Sequence, residues 1–348
     1  MWIDWTPFIS TIVDMIYDVI IIGGGPAGST LGYDLTVKGF DVLIIEKEKF
    51  PRYKVCAGGV PLILKDLIGD FPYERMFDTV LLMKGGRSWR LHLTSPIATV
   101  RRPNFDNYLL NRAKKAGVRI RFETVNEIKD DKVLTNKRSY RTRIIVGADG
   151  AFSLVRRTMG IRFRRWVNTV EWEISGSTDQ FLVAIGPGPG YAWSWPKRNT
   201  IAFGGGGFGK PEQWALRLAQ GLGIRPENSG YHYRYPLWEK GLRAKDNMIL
   251  IGDAGAFASP LTGAGIYTGI ISALAASKMI TRYLKYGGPF ADPYFRSLYQ
   301  ELIPPSRLAP VLFTLPPVFI NFSKRAVGRS FGEIQGYQKM IRSLWRSI

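Results

Sequence analysis

Residues 18–28 (DVIIIGGGPAG) carry the feature that most restricts the fold: an apolar, β-branched run from Asp18 to Ile22 that passes directly into Gly23, Gly25 and Gly28. A short run that is apolar throughout suits a strand covered on both faces, as in a parallel sheet. The G-x-G-x-x-G spacing gives each glycine a task. Gly23 permits a tight turn, Gly25 lets a pyrophosphate reach the backbone, and Gly28 lets a helix pack against the strand. That helix follows, with Ala27, Leu31 and Leu35 on one face and Gly39 as its stop. Its N-terminus offers free N–H groups and a partial positive charge to phosphates. Asp41 to Glu46 (DVLIIE) reads as a second buried strand. Glu46 at its end accepts hydrogen bonds from a ribose hydroxyl, which argues against a phosphate there. Together these parts form a βαβ unit for one dinucleotide, with Pro26, Ala27 and Lys47 assigned to the contact alongside Gly23, Gly25, Gly28 and Glu46.

A second G-x-G-x-x-G, at Gly204, Gly206 and Gly209, follows the strand Thr200 to Phe203, but no acid-ended strand comes after it and Pro211 sits at a helix start. These glycines mark a place where backbone approaches something closely. A nicotinamide donor, if used, therefore visits without a Rossmann unit of its own. The middle of the chain has short alternating segments, Trp89 to Leu93 and Tyr191 to Trp195 among them, punctuated by Gly and Pro as in an antiparallel sheet. Phe105 to Ala116 reads as a helix and Arg143 to Val146 as a buried strand. A long helix, uncharged before Lys278, spans about Ala264 to Ile280. The expected class is α/β. A discontinuous Rossmann-type dinucleotide-binding domain (15–70, 98–160 and 240–285) carries an inserted antiparallel-sheet substrate domain (71–97 and 161–239) and a C-terminal helical, basic region (286–348).

Lys and Arg number 48 against 28 Asp and Glu, a net charge of +20 that implies an anionic partner. No zinc-ligand pattern, RNA-binding signature or basic heptad accompanies it, so specific nucleic-acid recognition has no scaffold. An anionic membrane surface is the expected partner, and a solvated basic face the competing reading. Lys114, Lys115, Arg119 and Arg121 read as such a face. Ile334, Tyr337, Ile341, Leu344 and Ile348 recur at helical spacing with Lys339, Arg342 and Arg346 between them, a pattern that fits a helix on a membrane or one docked on the core. No run reaches the roughly 18 apolar residues of a spanning helix. The nearest, Leu308 to Ile320, is broken by Pro310, Pro316 and Pro317. Residues 1–16 lack the basic start and apolar stretch of a signal peptide, and Met15 reads as the native start. The cytoplasm, at a membrane surface, is the expected location. Cys56 is the only cysteine, which excludes an intrachain disulfide, and His92 and His232 lack metal-ligand spacing.

Two later segments narrow the dinucleotide. Ile249 to Ala254 (ILIGDA) ends a buried strand in Gly252 and Asp253, and Pro260 to Gly265 (PLTGAG) opens the uncharged helix at Ile266. Here the sequence resembles flavoproteins of the p-hydroxybenzoate-hydroxylase type, which implies FAD. By that resemblance Asp253, with Gly252, holds the ribityl chain. Pro260, Gly263, Ala264, Gly265 and Ile266 then face the flavin pyrimidine edge, where a helix N-terminus stabilises the negative charge of a reduced flavin. Gly147 to Gly150 (GADG), followed by Ser153 and Arg156, matches that group's middle motif and assigns Asp149 and Gly150 to the cofactor. Arg102 matches its arginine near the FAD phosphates.

A closer resemblance is to the geranylgeranyl reductase family, which saturates isoprenoid double bonds in archaeal lipids, chlorophyll side chains and some quinones. Pro51 to Val60 (PRYKVCAGGV) is similar to that family's Lys-x-Cys-x-Gly segment near the flavin, assigning Cys56, Ala57 and Gly58 to the cofactor. Tyr191 to Pro196 (YAWSWP) is similar to its Tyr-x-Trp-x-Phe-Pro substrate motif, with Trp195 where Phe is usual. The resemblance implies an isoprenoid lipid substrate and electrons from NAD(P)H or ferredoxin. An isolated alkene has no group to accept a hydride, so protonation must precede or accompany transfer from flavin N5. Cys56 and Tyr53 are the candidates for the proton path, and Tyr191, Trp193, Trp195 and Pro196 for an apolar wall with ring faces toward the developing cation. The competing readings are a small buried residue for Cys56 and a plain sheet core for the two tryptophans. Trp193 to Pro196 also resembles the Trp-x-Trp-x-Ile-Pro segment of flavin-dependent halogenases, so an FAD monooxygenase or halogenase acting on an aromatic substrate is the rival reaction class. An electron-transfer flavoprotein is the third.

Overall fold

The computed structural model describes residues 16–288 apart from 187, 189, 227, 239–242 and 260–262. Strand β1 (Ile16–Ile22) leads into helix α1 (Pro26–Val37) and strand β2 (Val42–Glu46). Short β3 (Gly59–Pro61) and α2 (Lys65–Ile68) precede a long hairpin, β4 (Arg75–Lys84) and β5 (Arg87–Thr99). Helix α3 (Arg102–Lys115) returns to β6 (Arg119–Phe122), the hairpin β7 (Val125–Lys129) and β8 (Lys132–Thr135), then β9 (Ser139–Gly147) and α4 (Leu154–Thr158). β10 (Trp166–Ser175), β11 (Leu182–Ile185), β12 (Gly190–Pro196) and β13 (Thr200–Gly207) follow. After α5 (Glu212–Leu222) and β14 (Tyr231–Pro236), the chain closes with β15 (Ala244–Lys245), β16 (Met248–Leu250) and α6 (Ile266–Tyr286).

The first sheet runs β15-β16-β9-β1-β2-β6, with β7 and β8 hung from β9. β1 lies parallel to both β2 and β9, β2 to β6 and β9 to β16, so residues 16–46, 119–122, 139–147 and 248–250 build one parallel core. Alternate residues of β1 enter two separate clusters: Val19 and Ile21 pack under α1, α3 and α6, while Ile20 and Ile22 face the hairpin and α4. This two-sided burial is why the run is apolar at every position. Helix α6 reaches α1 through small residues, since a Cβ at Gly269 would meet the Ala27 methyl at 3.6 Å.

The second sheet runs β14-β10-β13-β12-β11-β4-β5-β3 and is antiparallel except where β11 meets β4. It draws on residues 59–61, 75–99 and 166–236. The expected α/β architecture, with an antiparallel sheet inserted into a discontinuous parallel unit, is the one observed. One element differs. The strand expected at Thr200 to Phe203 continues as β13 through Gly204 to Gly207, so Gly204 and Gly206 lie within a strand, while Gly209, at φ +93, lies in the connection to α5. Both faces of β13 demand the missing side chains: the Trp193 indole lies over Gly204, Tyr191 beside Gly206, and α5 presses on Gly205.

Among the described residues no helix is long and apolar enough to cross a membrane. Met15, the Leu308 to Ile320 run and the spacing from Ile334 to Ile348 lie outside the described residues. A methyl at position 204 would strike both the Trp193 ring and the Val170 carbonyl. Gly204→Ala is therefore expected to cost about 1–3 kcal/mol and to lower the thermal midpoint, whereas an unchanged melt would contradict the packing described.

Candidate active site

A single cavity of about 610 Å³ runs from the C-terminal ends of β1, β2 and β9 to the inner face of the second sheet. At its first end, Gly23, Gly25, Pro26 and Ala27 form the wall. Gly23 has φ +104, and a Cβ there would collide with the Ala148 carbonyl. Gly28 does not line the cavity; a Cβ there would collide with the Gly23 carbonyl, so this glycine sets how closely α1 follows the turn. No side chain caps α1, whose first N–H groups face the cavity wall. Around Gly25 there is space, the nearest group being the Arg52 guanidinium at 3.6 Å from a built Cβ.

Glu46 is buried and held at both oxygens, Oε2 accepting from the Gly24 N–H at 2.7 Å and Oε1 from the Glu48 N–H at 2.9 Å. Each oxygen keeps a second lone pair for a ribose hydroxyl. Lys47 lines the same end, as do Glu123, Thr124 and Val125, which were not expected from sequence. Arg102 clamps Asp106 through two bonds of 2.7 Å, and Arg52 stands 3.6 Å from the same carboxylate, so two guanidiniums are fixed beside the glycine turn. Asp149 and Gly150 also line the cavity. Asp149 Oδ2 accepts from the Leu154 N–H at 2.6 Å, while its buried Oδ1 has no partner among the described residues. Burial pushes its carboxyl up, against the pull of its hydrogen bonds.

Further along lie Gly252, Asp253, Gly263, Ala264, Gly265 and Ile266, the start of α6. Pro260 lies outside the described residues. Asp253 Oδ2 accepts from the Tyr233 hydroxyl at 3.3 Å. Lys54 sits 3.5 Å over the Tyr233 ring, and its amine is pushed down to about 8 by burial, with Asp253 opposing. The hydroxyls of Tyr191 and Tyr235 converge on Gly263, where any side chain would displace them.

The other end is aromatic. Tyr191, Trp193 and Trp195 project from one face of β12, with ring centroids 5.6 and 6.4 Å apart in sequence, and Trp195 stacks on Phe181 at 4.7 Å. Trp195 also lies flat on Gly59, at the end of the 51–60 segment. Pro196 is buried but does not line the cavity; its carbonyl accepts from Thr99 Oγ1 at 2.8 Å. Cys56 and Ala57 line the cavity, and Gly58, at φ +80, instead lets the segment press on the Val100 carbonyl. Tyr53 stands at the rim, 48% exposed and 5.0 Å from the Tyr231 ring, with burial and Glu171 raising its hydroxyl further above neutrality.

Sequence reasoning overlooked Glu171. It is 2% exposed, lines the cavity beside Trp193, and accepts the Cys56 N–H on Oε1 at 3.2 Å. The signal was available in VEWEIS: strand alternation sends residues 169, 171 and 173 to one face and Val170 and Trp172 to the other.

Residues 21–52 match the model of an NAD(P)-binding Rossmann-like domain. An uncharacterized protein of Methanosarcina barkeri is 28% identical over 84% of this chain and 82% of its own length. The geranylgeranyl diphosphate reductase of Rhodobacter capsulatus is 27% identical, covering 79% and 78%, and the digeranylgeranylglycerophospholipid reductase of Methanocaldococcus jannaschii is 26% identical, covering 78% of each. The chain is an FAD-dependent oxidoreductase, similar in sequence to proteins named geranylgeranyl reductases. Among solved structures, a geranylgeranyl bacteriochlorophyll reductase-like protein of Thermoplasma acidophilum superposes with TM-score 0.73 at 18% identity, over 90% of this chain and 88% of that one. A flavin-dependent brominase superposes with TM-score 0.75 at 20% identity, over 96% and 100%. At such identities these two establish the shared fold only.

The residues present fit FAD in this flavoprotein: a bare Gly25, an uncapped helix start, an orphaned buried Asp149 oxygen and two fixed guanidiniums. Because only Arg52 borders Gly25, Gly25→Ala should fold normally yet bind FAD about tenfold or more weakly, about 1.4 kcal/mol or more. Equal flavin retention in the variant, read by visible absorption after gel filtration, would contradict this placement of the pyrophosphate.

Proposed function

We propose that this protein is a reductase that saturates isoprenoid double bonds in a membrane lipid or prenyl quinone. The observation that carries the reading is continuity: the dinucleotide cradle opens, inside one cavity, onto a wall of Phe181, Tyr191, Trp193 and Trp195. Such a wall suits an apolar chain better than a small polar substrate. The relatives named as reductases of geranylgeranyl compounds support the substrate class.

Bound in the cradle, reduced FAD supplies a hydride. The chain's own residues do the remainder. Trp193 and Trp195 exclude water and present ring faces that stabilise positive charge developing on an alkene carbon. Tyr191 and Tyr235 fix the start of α6, whose N-terminus favours negative charge on the cofactor side. Lys54, Arg52 and Arg102 add cations to the same wall. Electrons arrive from NAD(P)H or ferredoxin. Support for a visiting donor is that Gly204 and Gly206 lie inside antiparallel β13 with the Trp193 and Tyr191 rings packed on them, which leaves no room there for a phosphate. The +20 charge supports work at an anionic membrane surface.

Anaerobic incubation of the chemically reduced protein with a geranylgeranyl lipid is expected to add two hydrogens per double bond saturated, as read by mass spectrometry. No mass gain, together with oxygen consumption stimulated by an aromatic substrate, would replace this reading with a monooxygenase or halogenase. Co-sedimentation should be stronger with vesicles containing phosphatidylglycerol than with phosphatidylcholine alone and should weaken as salt rises; equal recovery with both would contradict membrane attraction by charge.

A further inference from the structure

The proposed reaction needs an acid inside the cavity, and the fold supplies a buried carboxyl there. β10 pairs Glu171 with Gly204 of β13, which in turn pairs with Trp193 of β12. These three residues form one row across the sheet on its cavity side. Gly204 contributes no side chain, so the Trp193 indole lies down over it toward Glu171. The result is a carboxyl at 2% exposure bordered by aromatic rings.

Its two oxygens are not equivalent. Oε1 accepts from the Cys56 backbone N–H at 3.2 Å, which ties the carboxyl to the 51–60 segment. Oε2 is fully buried and has no hydrogen-bond partner among the described residues, and the nearby indole N–H groups of Trp193 and Trp195 are likewise unpartnered. A buried anionic oxygen left bare costs several kcal/mol on the order expected for unpaired charge, so a carboxyl in this position holds its proton. Tyr53 lines the same cavity but stands half-exposed at its rim against Tyr231, and burial and Glu171 raise its hydroxyl further above neutrality. Cys56 lies next to Arg102, and its backbone is what positions Glu171.

We propose that Glu171 is the catalytic acid of this site, delivering its Oε2 proton to one carbon of the substrate alkene. The assignment rests on the reductase reading above. In the step, the O–H bond and the alkene π bond break. One C–H bond forms from the Glu171 proton and the second from the hydride that reduced FAD supplies, so the alkene is reduced, the flavin oxidised and Glu171 left as carboxylate. Water reprotonates it between turnovers. Cys56 is then a positioning residue acting through its N–H.

Electrostatics agree with the geometry. Burial pushes the Glu171 carboxyl up to about 7, with Lys197 opposing, the Cys56 N–H bond also lowering it, Glu173 raising it and Arg102 lowering it. Tyr53 also senses its charge, and Cys56 adjoins it through the backbone bond. An acid with a value near the working pH suits general acid catalysis. The folded chain therefore holds a proton that the unfolded chain, with a carboxyl at 4.5, has released by neutral pH. Stability falls as pH rises through that interval, and this contribution is absent when position 171 cannot ionise.

The test is Glu171→Gln, which keeps an acceptor for Cys56, compared with Glu171→Asp and wild type as flavin-loaded proteins. Flavin content and its reduction by dithionite should be unchanged. Alkene reduction should fall about 100-fold or more in Glu171→Gln and be partly retained in Glu171→Asp. The wild-type rate should decline above about pH 7, a break absent from Glu171→Gln. Independently of turnover, Glu171→Gln should melt above wild type at about pH 8, with the gap closing toward about pH 5, and a protonated-carboxyl infrared band should vanish with the substitution. Wild-type product with an equally active Glu171→Gln, or identical pH profiles of melting, would overturn the assignment and leave the reductase reading standing. No product from wild type would overturn that reading and this assignment with it.

Discussion

The close approach of backbone to backbone at the C-terminal ends of β1 and β9 governs everything that follows. A side chain at Gly23 would strike the Ala148 carbonyl, and one at Gly28 would strike the Gly23 carbonyl. Only with both absent does the turn fold tightly enough to aim the start of α1 at a phosphate. The same closeness recurs where α6 meets α1, through Gly252, Gly269 and Ala27. Three strands remote in sequence thus end at one place, and the parallel sheet exists to hold those ends still.

Glycine does the complementary work at the aromatic end. β13 gives up side chains at Gly204 and Gly206 so that Trp193 and Tyr191 can lie against the sheet, and Gly59 does the same for Trp195. Large rings occupy volume that side chains on β13 would otherwise fill and give this end of the cavity its apolar lining. The buried carboxyl of Glu171 is tolerated within that lining because one oxygen is bonded to Cys56 and the other can carry a proton.

Much of this was legible in the sequence. A run that is apolar throughout, glycines at fixed spacing and an acid-ended strand specify the βαβ unit through local physics alone, and Ile22, Gly23 and Glu46 appear where that physics puts them. The later motifs around Asp149 and Asp253 were readable by resemblance. What escaped were residues whose position depends on pairing between distant strands. Glu171 reaches the cavity only because β10 pairs with β13, and β13 with β12. Gly204 and Gly206 were legible as a place of close backbone approach, and only the strand pairing shows that the Trp193 and Tyr191 rings are what approaches them. Arg52, Lys54 and Tyr233 meet for the same reason, contributed by a loop and an edge strand far apart in the chain.

Cofactor cradle and apolar wall are one continuous space. The most direct measurement is a visible difference spectrum of the FAD-loaded protein titrated with geranylgeraniol. A flavin whose ring borders the aromatic end should show saturable band shifts as the chain displaces water beside it, accompanied by quenching of tryptophan emission over the same concentration range. A flavin spectrum indifferent to the lipid, while the lipid demonstrably binds, would mean that the two ends are separate sites.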